Sequence, residues 1–294
     1  MSCNNPIKCY RTVKADETTG KRPVVFRPPV GEPYTLMSVP CTKCNGCQKD
    51  RTIEWGIRCH HEAQQHESNQ FLSLSYDKKN LPKDKMLDRR HLQLFFKRLR
   101  KNTGQKIKFM YCGEYGERTW RAHYHAIIFG LEIDDLTYCK TGKNGDPLYT
   151  SKKIDATWGL GMVICGHVSF ASSQYVAKYI NKRSHILKRL REASNFVAPF
   201  GQSSQGLGID WLKKYYKDVY PNDYITIDGN KYKVPKGYDK WMEQNHPEEL
   251  KEVKRNRYKK MMEYQKEKGG FLADQEAWAR EEQSTYGGTP RDSI

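Results

Sequence analysis

The chain has 294 residues, 37% of them hydrophobic and 12% aromatic, which is enough for a real core. Lysine and arginine outnumber aspartate and glutamate by 51 to 34, a net charge of +17. That points to a polyanion such as nucleic acid, because neutralised phosphates release counterions and ring faces stack on bases. No apolar stretch approaches bilayer length, the longest lying around 126–131, and MSCNNPIKCY has no signal-peptide apolar core. With nine cysteines, three of them clustered, the expected setting is a reducing cytoplasm away from any membrane.

Residues 1–66 form a first, cysteine-rich region. A proline- and charge-rich lead (Lys21-Arg22-Pro23, Arg27-Pro28-Pro29) precedes VPCTKCNGC, which sets Cys41, Cys44 and Cys47 at C-x2-C-x2-C spacing. An iron–sulfur run would place a fourth cysteine where this chain has Arg51. A structural Zn²⁺ fits better, with its fourth ligand from elsewhere: Cys3 first, then Cys9, Cys59, His60 or His61. Reduced, uncoordinated thiols are the alternative. Cys112, Cys139 and Cys165 read as ordinary strand or loop residues, and a short helix is expected over 52–65.

Residues 67–185 carry the chemistry. FLSLSYD (71–77) alternates as a strand, with Phe71, Ser73 and Ser75 on one face and Leu72, Leu74 and Tyr76 on the other. Asp88 opens a helix in which Leu92, Phe95, Phe96 and Leu99 form one apolar stripe. A strand over 107–114 follows, then a turn, then the strand in RAHYHAIIFG (121–130). The stretch 132–160 holds a polar loop, TGKNGDP, which reads as an insertion. A strand over 162–170 leads into a helix over 171–183. Strand, helix, strand, strand, strand, helix favours an α+β sandwich, an antiparallel sheet with helices packed on it. Residues 186–294 form a basic C-terminal region: a helix in GLGIDWLKKYYKDVY, a hairpin turning at Asp228-Gly229-Asn230, a charged helix from Pro247, and a mobile tail from about 269.

In RAHYHAIIFG, His123 and His125 project to the same side of their strand, with Tyr124, Ala126 and Ile128 on the other. Glu114 ends the preceding strand and comes beside both histidines if the two strands pair; Glu117, in the turn, is its rival. One carboxylate and two imidazoles leave open positions on a divalent ion such as Mg²⁺ or Mn²⁺. In the following helix Tyr175 and Tyr179 lie one turn apart on one face, flanked by Lys178. Two tyrosines bordering a core would look the same. Beside a metal, however, a phenol becomes a nucleophile for phosphorus, giving a phosphotyrosine ester and a free 3′-hydroxyl. Arg118, Arg121, Lys182 and Arg183 would hold phosphates, and Trp120 would stack on a base.

These residues resemble a known family. RAHYHAIIFG resembles the paired-histidine motif of HUH endonucleases that initiate rolling-circle replication, FLSLSYD their first motif, and YVAKYINKR their two-tyrosine motif. The cysteine cluster, the spacing from GEYG to HYH and YVAKY are similar to replication initiators of gokushovirus-type microviruses. The resemblance implies a ferredoxin/RRM-like antiparallel sheet and a nuclease that nicks single-stranded origin DNA, attaches to the 5′ end and later rejoins the strand. It implies His123, His125 and Glu114 as ligands, Tyr175 and Tyr179 as nucleophiles and Lys178 as their electrostatic helper. The chain has no phosphate-binding G-x-x-x-x-G-K-[ST] loop, so unwinding falls to a host helicase and synthesis to a host polymerase. Three alternatives stay open: a plasmid replication or mobilisation relaxase, a non-catalytic binder of single-stranded nucleic acid, and a zinc hydrolase using His-x-His.

Overall fold

The structure is a computed structural model that describes residues 3–18, 22–116, 119–142, 145–181 and 196–267. Two compact units are distinguished: residues 1–50 with a C-terminal segment from Asn256, and Arg51–Arg255.

In the first unit, β1 (Ile7–Thr12), β2 (Val24–Val25) and β3 (Tyr34–Val39) form an antiparallel sheet in the order β2-β1-β3. The proline-rich lead is therefore structured. Its prolines stand at 23, 28, 29 and 33, outside the strands, where they cost no ladder hydrogen bond. The helix expected over 52–65 is α1 (Asn45–Ala63), which begins seven residues earlier and takes in Cys47.

The larger unit is built on a seven-stranded sheet. Its strands are β4 (Asn69–Ser75), β5 (Lys108–Tyr115), β6 (Ala122–Phe129), β7 (Thr137–Thr141), β8 (Pro147–Thr150), β9 (Val163–Gly166) and β10 (Phe200–Ser203). They lie in the order β10-β5-β6-β4-β9-β8-β7, and neighbouring strands pair antiparallel. The fold is α+β, as expected.

One face of this sheet is covered by α2 (Arg89–Thr103), whose Leu92, Phe95, Phe96 and Leu99 bury against Leu72, Leu74, Tyr124, Ala126 and Ile128. Burying four such side chains contributes on the order of 1.5–3 kcal/mol each, which outweighs the cost of ordering the helix. Asp88 caps α2 by accepting from the Arg90 amide at 2.7 Å, and Gly104 ends it in the left-handed conformation (φ 67°) that glycine adopts without strain. The Tyr124 hydroxyl donates to the Asp88 carbonyl at 3.0 Å and accepts from the Asp88 amide at 2.8 Å. The tyrosine between the two histidines thus ties β6 to the start of α2.

The stretch read as a polar loop is instead a β7–β8 hairpin followed by α3 (Lys152–Trp158), and it widens the sheet through β8 and β9. Trp158 is fully buried and its indole N–H donates to the Ser75 carbonyl at 2.9 Å, pinning this insertion to the end of β4. Gly161 crosses the same end (φ 155°), and a Cβ there would lie 2.2 Å from the Ser75 carbonyl oxygen.

The opposite face is covered by α4 (Phe170–Asn181) and by α1: Val176, Ala177 and Cys59 pack on Met110, Cys112, Ile127 and Phe129. Beyond it, α5 (Ile209–Asn222), the hairpin β11 (Ile225–Ile227) and β12 (Asn230–Tyr232), α6 (Lys236–Asn245) and the start of α7 (Pro247–Glu267) share a core with Ile57. In that hairpin Ile227 pairs with Asn230, so Asp228 and Gly229 alone make the turn, both with positive φ. The start of the expected third region, 186–195, and the tail from 269 lie outside the described residues.

Candidate metal centre

Register places the site. Glu114 on β5 is directly opposite His123 on β6, while Ser73 and Ser75 on β4 are opposite His125 and His123. Paired residues in an antiparallel ladder share a face, so Glu114, both imidazoles and the two serines all look toward α4. The Glu114 carboxylate oxygen Oε1 lies 3.0 Å from His123 Nε2 and 3.0 Å from His125 Nε2. An ion with six ligands at ~2.1 Å would space adjacent donors by ~3.0 Å, so the donor set fits a small divalent cation held from one side. The three ligand atoms lie within 4.8 Å of one another.

The electrostatics fit the same use. Burial disfavours the charged Glu114, yet hydrogen bonds from the two histidines outweigh it and hold its carboxyl below the ordinary range. Burial also opposes charge on His123, but bonds to Glu114 and to the Arg121 carbonyl win, so its pKa is raised. At His125 burial wins and the pKa is lowered. The difference follows exposure, His123 keeping 23% of its side chain in solvent against 8% for His125. His123 Nδ1 bonds the Arg121 carbonyl at 3.1 Å, which in the neutral ring puts the proton on Nδ1 and the lone pair on Nε2.

Tyr175 reaches this cluster from α4. Its hydroxyl is 3.4 Å from His125 Nε2, and the two rings meet edge to face at 5.1 Å. Phe71 stacks on His125 at 5.7 Å and meets Tyr175 at 6.3 Å. Strand alternation puts Phe71 on this face with Ser73 and Ser75, but the sequence reading assigns it no part in the site; that alternation is the signal that could have found it. Lys178 is exposed on the same helix. Trp120 is 44% exposed and takes a left-handed conformation (φ 53°) that closes the β5–β6 turn. The Arg121 guanidinium donates to the Tyr76 carbonyl, so it braces the end of β4. Arg118, Glu117, Lys182, Arg183 and the side chains of Tyr179 and Ile180 lie outside the described residues.

A second cluster belongs to the first unit. The sulfurs of Cys3, Cys41, Cys44 and Cys47 lie within 4.8 Å of one another. Amides of Cys41, Cys44 and Cys47 donate to the sulfurs of Cys3, Cys41 and Cys44 at 3.2, 3.3 and 3.5 Å. Cys44 and Cys3 sulfurs are 3.9 Å apart, close to the ~3.8 Å edge of a tetrahedron with ~2.3 Å metal–sulfur bonds. Burial raises the Cys41 pKa, but hydrogen bonds from Lys43, Cys44 and Cys3 outweigh it and bring the thiol to about 6, where the thiolate forms readily. At Cys3 and Cys47 burial wins and the thiols are raised. Four sulfurs in this arrangement could hold Zn²⁺. Of the other fourth-ligand candidates, Cys9 donates to the Met37 carbonyl at 3.6 Å, Cys59 packs on the Met110 sulfur at 3.6 Å, and His61 bonds the Tyr238 hydroxyl at 2.8 Å; His60 also stays outside the cluster.

Among the described residues, no helix is long and apolar enough to cross a membrane. No solved structure matches the chain significantly. The family model for the replication-associated protein ORF2 matches residues 69–184. The replication-associated protein VP4 of Bdellovibrio phage phiMH2K is 30% identical over 257 residues, covering 83% of this chain and 80% of the relative. The replication-associated protein ORF2 of Spiroplasma virus 4 is 30% identical over 268 residues, covering 85% and 83%. The replication-associated protein ORF4 of Chlamydia phage 1 is 31% identical over 207 residues, covering 67% and 52%. The matched segment runs from β4 to just past α4 and so contains Glu114, His123, His125 and Tyr175 together. With relatives this similar over most of its length, the chain belongs to the replication-associated proteins of microviruses.

Proposed function

We propose that the protein is a replication initiator that nicks single-stranded DNA at a phage origin through a tyrosine and later rejoins the ends. The reading rests on one observation, the Tyr175 hydroxyl standing 3.4 Å from His125 Nε2 above the Glu114/His123/His125 donors. A bound Mg²⁺ or Mn²⁺ would polarise a non-bridging oxygen of the scissile phosphate. Tyr175 attacks phosphorus, the P–O3′ bond breaks as the P–O(Tyr) bond forms, and the proton lost by the phenol is balanced by the one gained by the 3′ oxygen. One ester replaces another, so the step reverses without ATP. Tyr179 is the second nucleophile, which holds one end while the other is cut, and Lys178 offsets the charge that builds between them. Trp120, Arg118, Arg121, Lys182 and Arg183 line the DNA path, the cysteine cluster holds Zn²⁺, and host helicase and polymerase complete the machinery in the bacterial cytoplasm. In this reading residues 1–66, 67–185 and 186–294 act as zinc region, endonuclease core and basic extension.

A stem-loop origin oligonucleotide incubated with Mn²⁺ should give a protein–DNA band that survives denaturation, and mass spectrometry should place the DNA on Tyr175 or Tyr179. Tyr175→Phe combined with Tyr179→Phe should remove the band. A band that persists in the double variant sinks the nucleophile assignment. Binding without cleavage, insensitive to EDTA, would instead favour the non-catalytic reading.

A further inference from the structure

The sheet of the first unit has one face without the usual polar cover. Register puts Val25, Tyr10 and Leu36 in a row across β2, β1 and β3, with Lys8 and Ser38 paired beside them and Tyr34 on the diagonal. Tyr10 and Tyr34 meet edge to face at 5.0 Å. Leu36 is 60% and Tyr34 45% exposed, and Lys8 is exposed. A solvated sheet face ordinarily alternates to polar residues, so two tyrosines and a leucine in water mark a surface with an occupant.

Charge selects that occupant. The strands IKCYRT, VV and YTLMSV carry Lys8 and Arg11 and no carboxylate. Flat rings beside cations, free of negative charge, match a chain of phosphates and bases. A second copy would bring its own excess of +17 against the same surface. The shape of the face is also held: Cys3 precedes β1, Cys41 follows β3, and Ile7 pairs with Val39, so the sulfur cluster closes that end of the sheet.

We propose that this face is a second binding surface for single-stranded DNA, on which Tyr10 and Tyr34 stack bases and Lys8 meets the backbone. Stacking accepts every base, so the surface grips the strand without reading its sequence. It lends a site with one metal and one nucleophile the grip on flanking DNA that a short reactive segment lacks. The inference stands on the first unit alone and survives or fails independently of the tyrosine chemistry.

The test uses the full-length chain carrying Tyr175→Phe, without added divalent cation, and a fluorescent twenty-nucleotide oligo(dT). Adding Tyr10→Leu and Tyr34→Leu, which keep apolar packing, should weaken binding about tenfold or more by anisotropy, with circular dichroism and zinc content unchanged. Photocrosslinking with bromodeoxyuridine should place adducts on the peptides holding Tyr10 or Tyr34. Affinity unchanged within twofold, with adducts only elsewhere, overturns the proposal. So does sedimentation showing a dimer that Leu36→Glu dissociates while oligo(dT) affinity stays the same. With Tyr175 intact, the two tyrosine-to-leucine changes should leave covalent band formation on a short saturating oligonucleotide unaltered, which separates this surface from the reaction.

Discussion

Two donor clusters, one in each unit, solve opposite problems. Glu114, His123 and His125 are nitrogen and oxygen donors set by the ladder between two strands, and they cover one side of an ion while Tyr175 stands over them. Cys3, Cys41, Cys44 and Cys47 are soft donors gathered from the ends of a sheet and the first turn of a helix, laced together by amide-to-sulfur hydrogen bonds. The first arrangement leaves room for a reactant; the second fills all four corners of a tetrahedron. A rigid sheet can present an incomplete set because its ladder already holds the ligands, whereas loop ends need the ion itself to hold them.

That contrast predicts effects of different size. Removing metal from the cysteine cluster, by Cys41→Ser or by chelation, should cost the first unit most of its order, since structural zinc supplies about 10 kcal/mol or more of folding energy. Hydrogen exchange should show β1 and β3 losing protection while β4, β5 and β6 keep theirs; equal loss in both would erase the distinction. Glu114→Gln, nearly isosteric, should leave melting almost unchanged but lower Mn²⁺ affinity by about a hundredfold or more, read by calorimetry, because a ligand is lost where even an indirect partner costs 10–100-fold. A fully folded variant that still bound Mn²⁺ normally would remove the carboxylate from the site.

A third buried imidazole sharpens the comparison. His61 is 2% exposed, stacked on Trp211 at 3.4 Å and bonded to Tyr238, and burial lowers its pKa from 6.5 to about 3. The unfolded chain therefore binds a proton at this position before the folded one does. Stability from His61 is complete above pH 6.5 and falls as pH drops toward 3, by up to ~1.4 kcal/mol per unit. Chemical denaturation at pH 7, 6 and 5 should show this slope, and His61→Gln should flatten it. Phe71→Leu should have the smallest effect: with one stacking partner of His125 and Tyr175 gone, cleavage should slow about two- to tenfold while Mn²⁺ affinity holds. Unchanged cleavage would mean that the ladder alone orients His125.

The site was legible because it is written in strand alternation and helix spacing. His-x-His must share a face, Asp88 and the Leu92/Phe95/Phe96/Leu99 stripe must open and bury a helix, and a turn from Glu114 to His123 returns one strand beside the other. The insertion was not legible. TGKNGDP has the composition of a loop, and only the burial of Trp158 against Ser75 shows that its flanks are a hairpin and a helix joined to the sheet. The sheet at the front of the chain was missed for a related reason: its strands are short, and prolines between them dominate the local signal.

Local pattern alone settled which residues share a face, where α2 begins and ends, and which three cysteines sit together, because each depends on neighbours within a few positions. Tertiary structure decided what no window of sequence contains: that Cys3 completes the sulfur set across 38 residues, that Glu114 reaches both imidazoles with a single oxygen, and that α4 lowers Tyr175 onto His125 across 50. Those distances come from sheet register and from burial of the Val176 and Ala177 side of α4, energies that exist only once remote segments have packed.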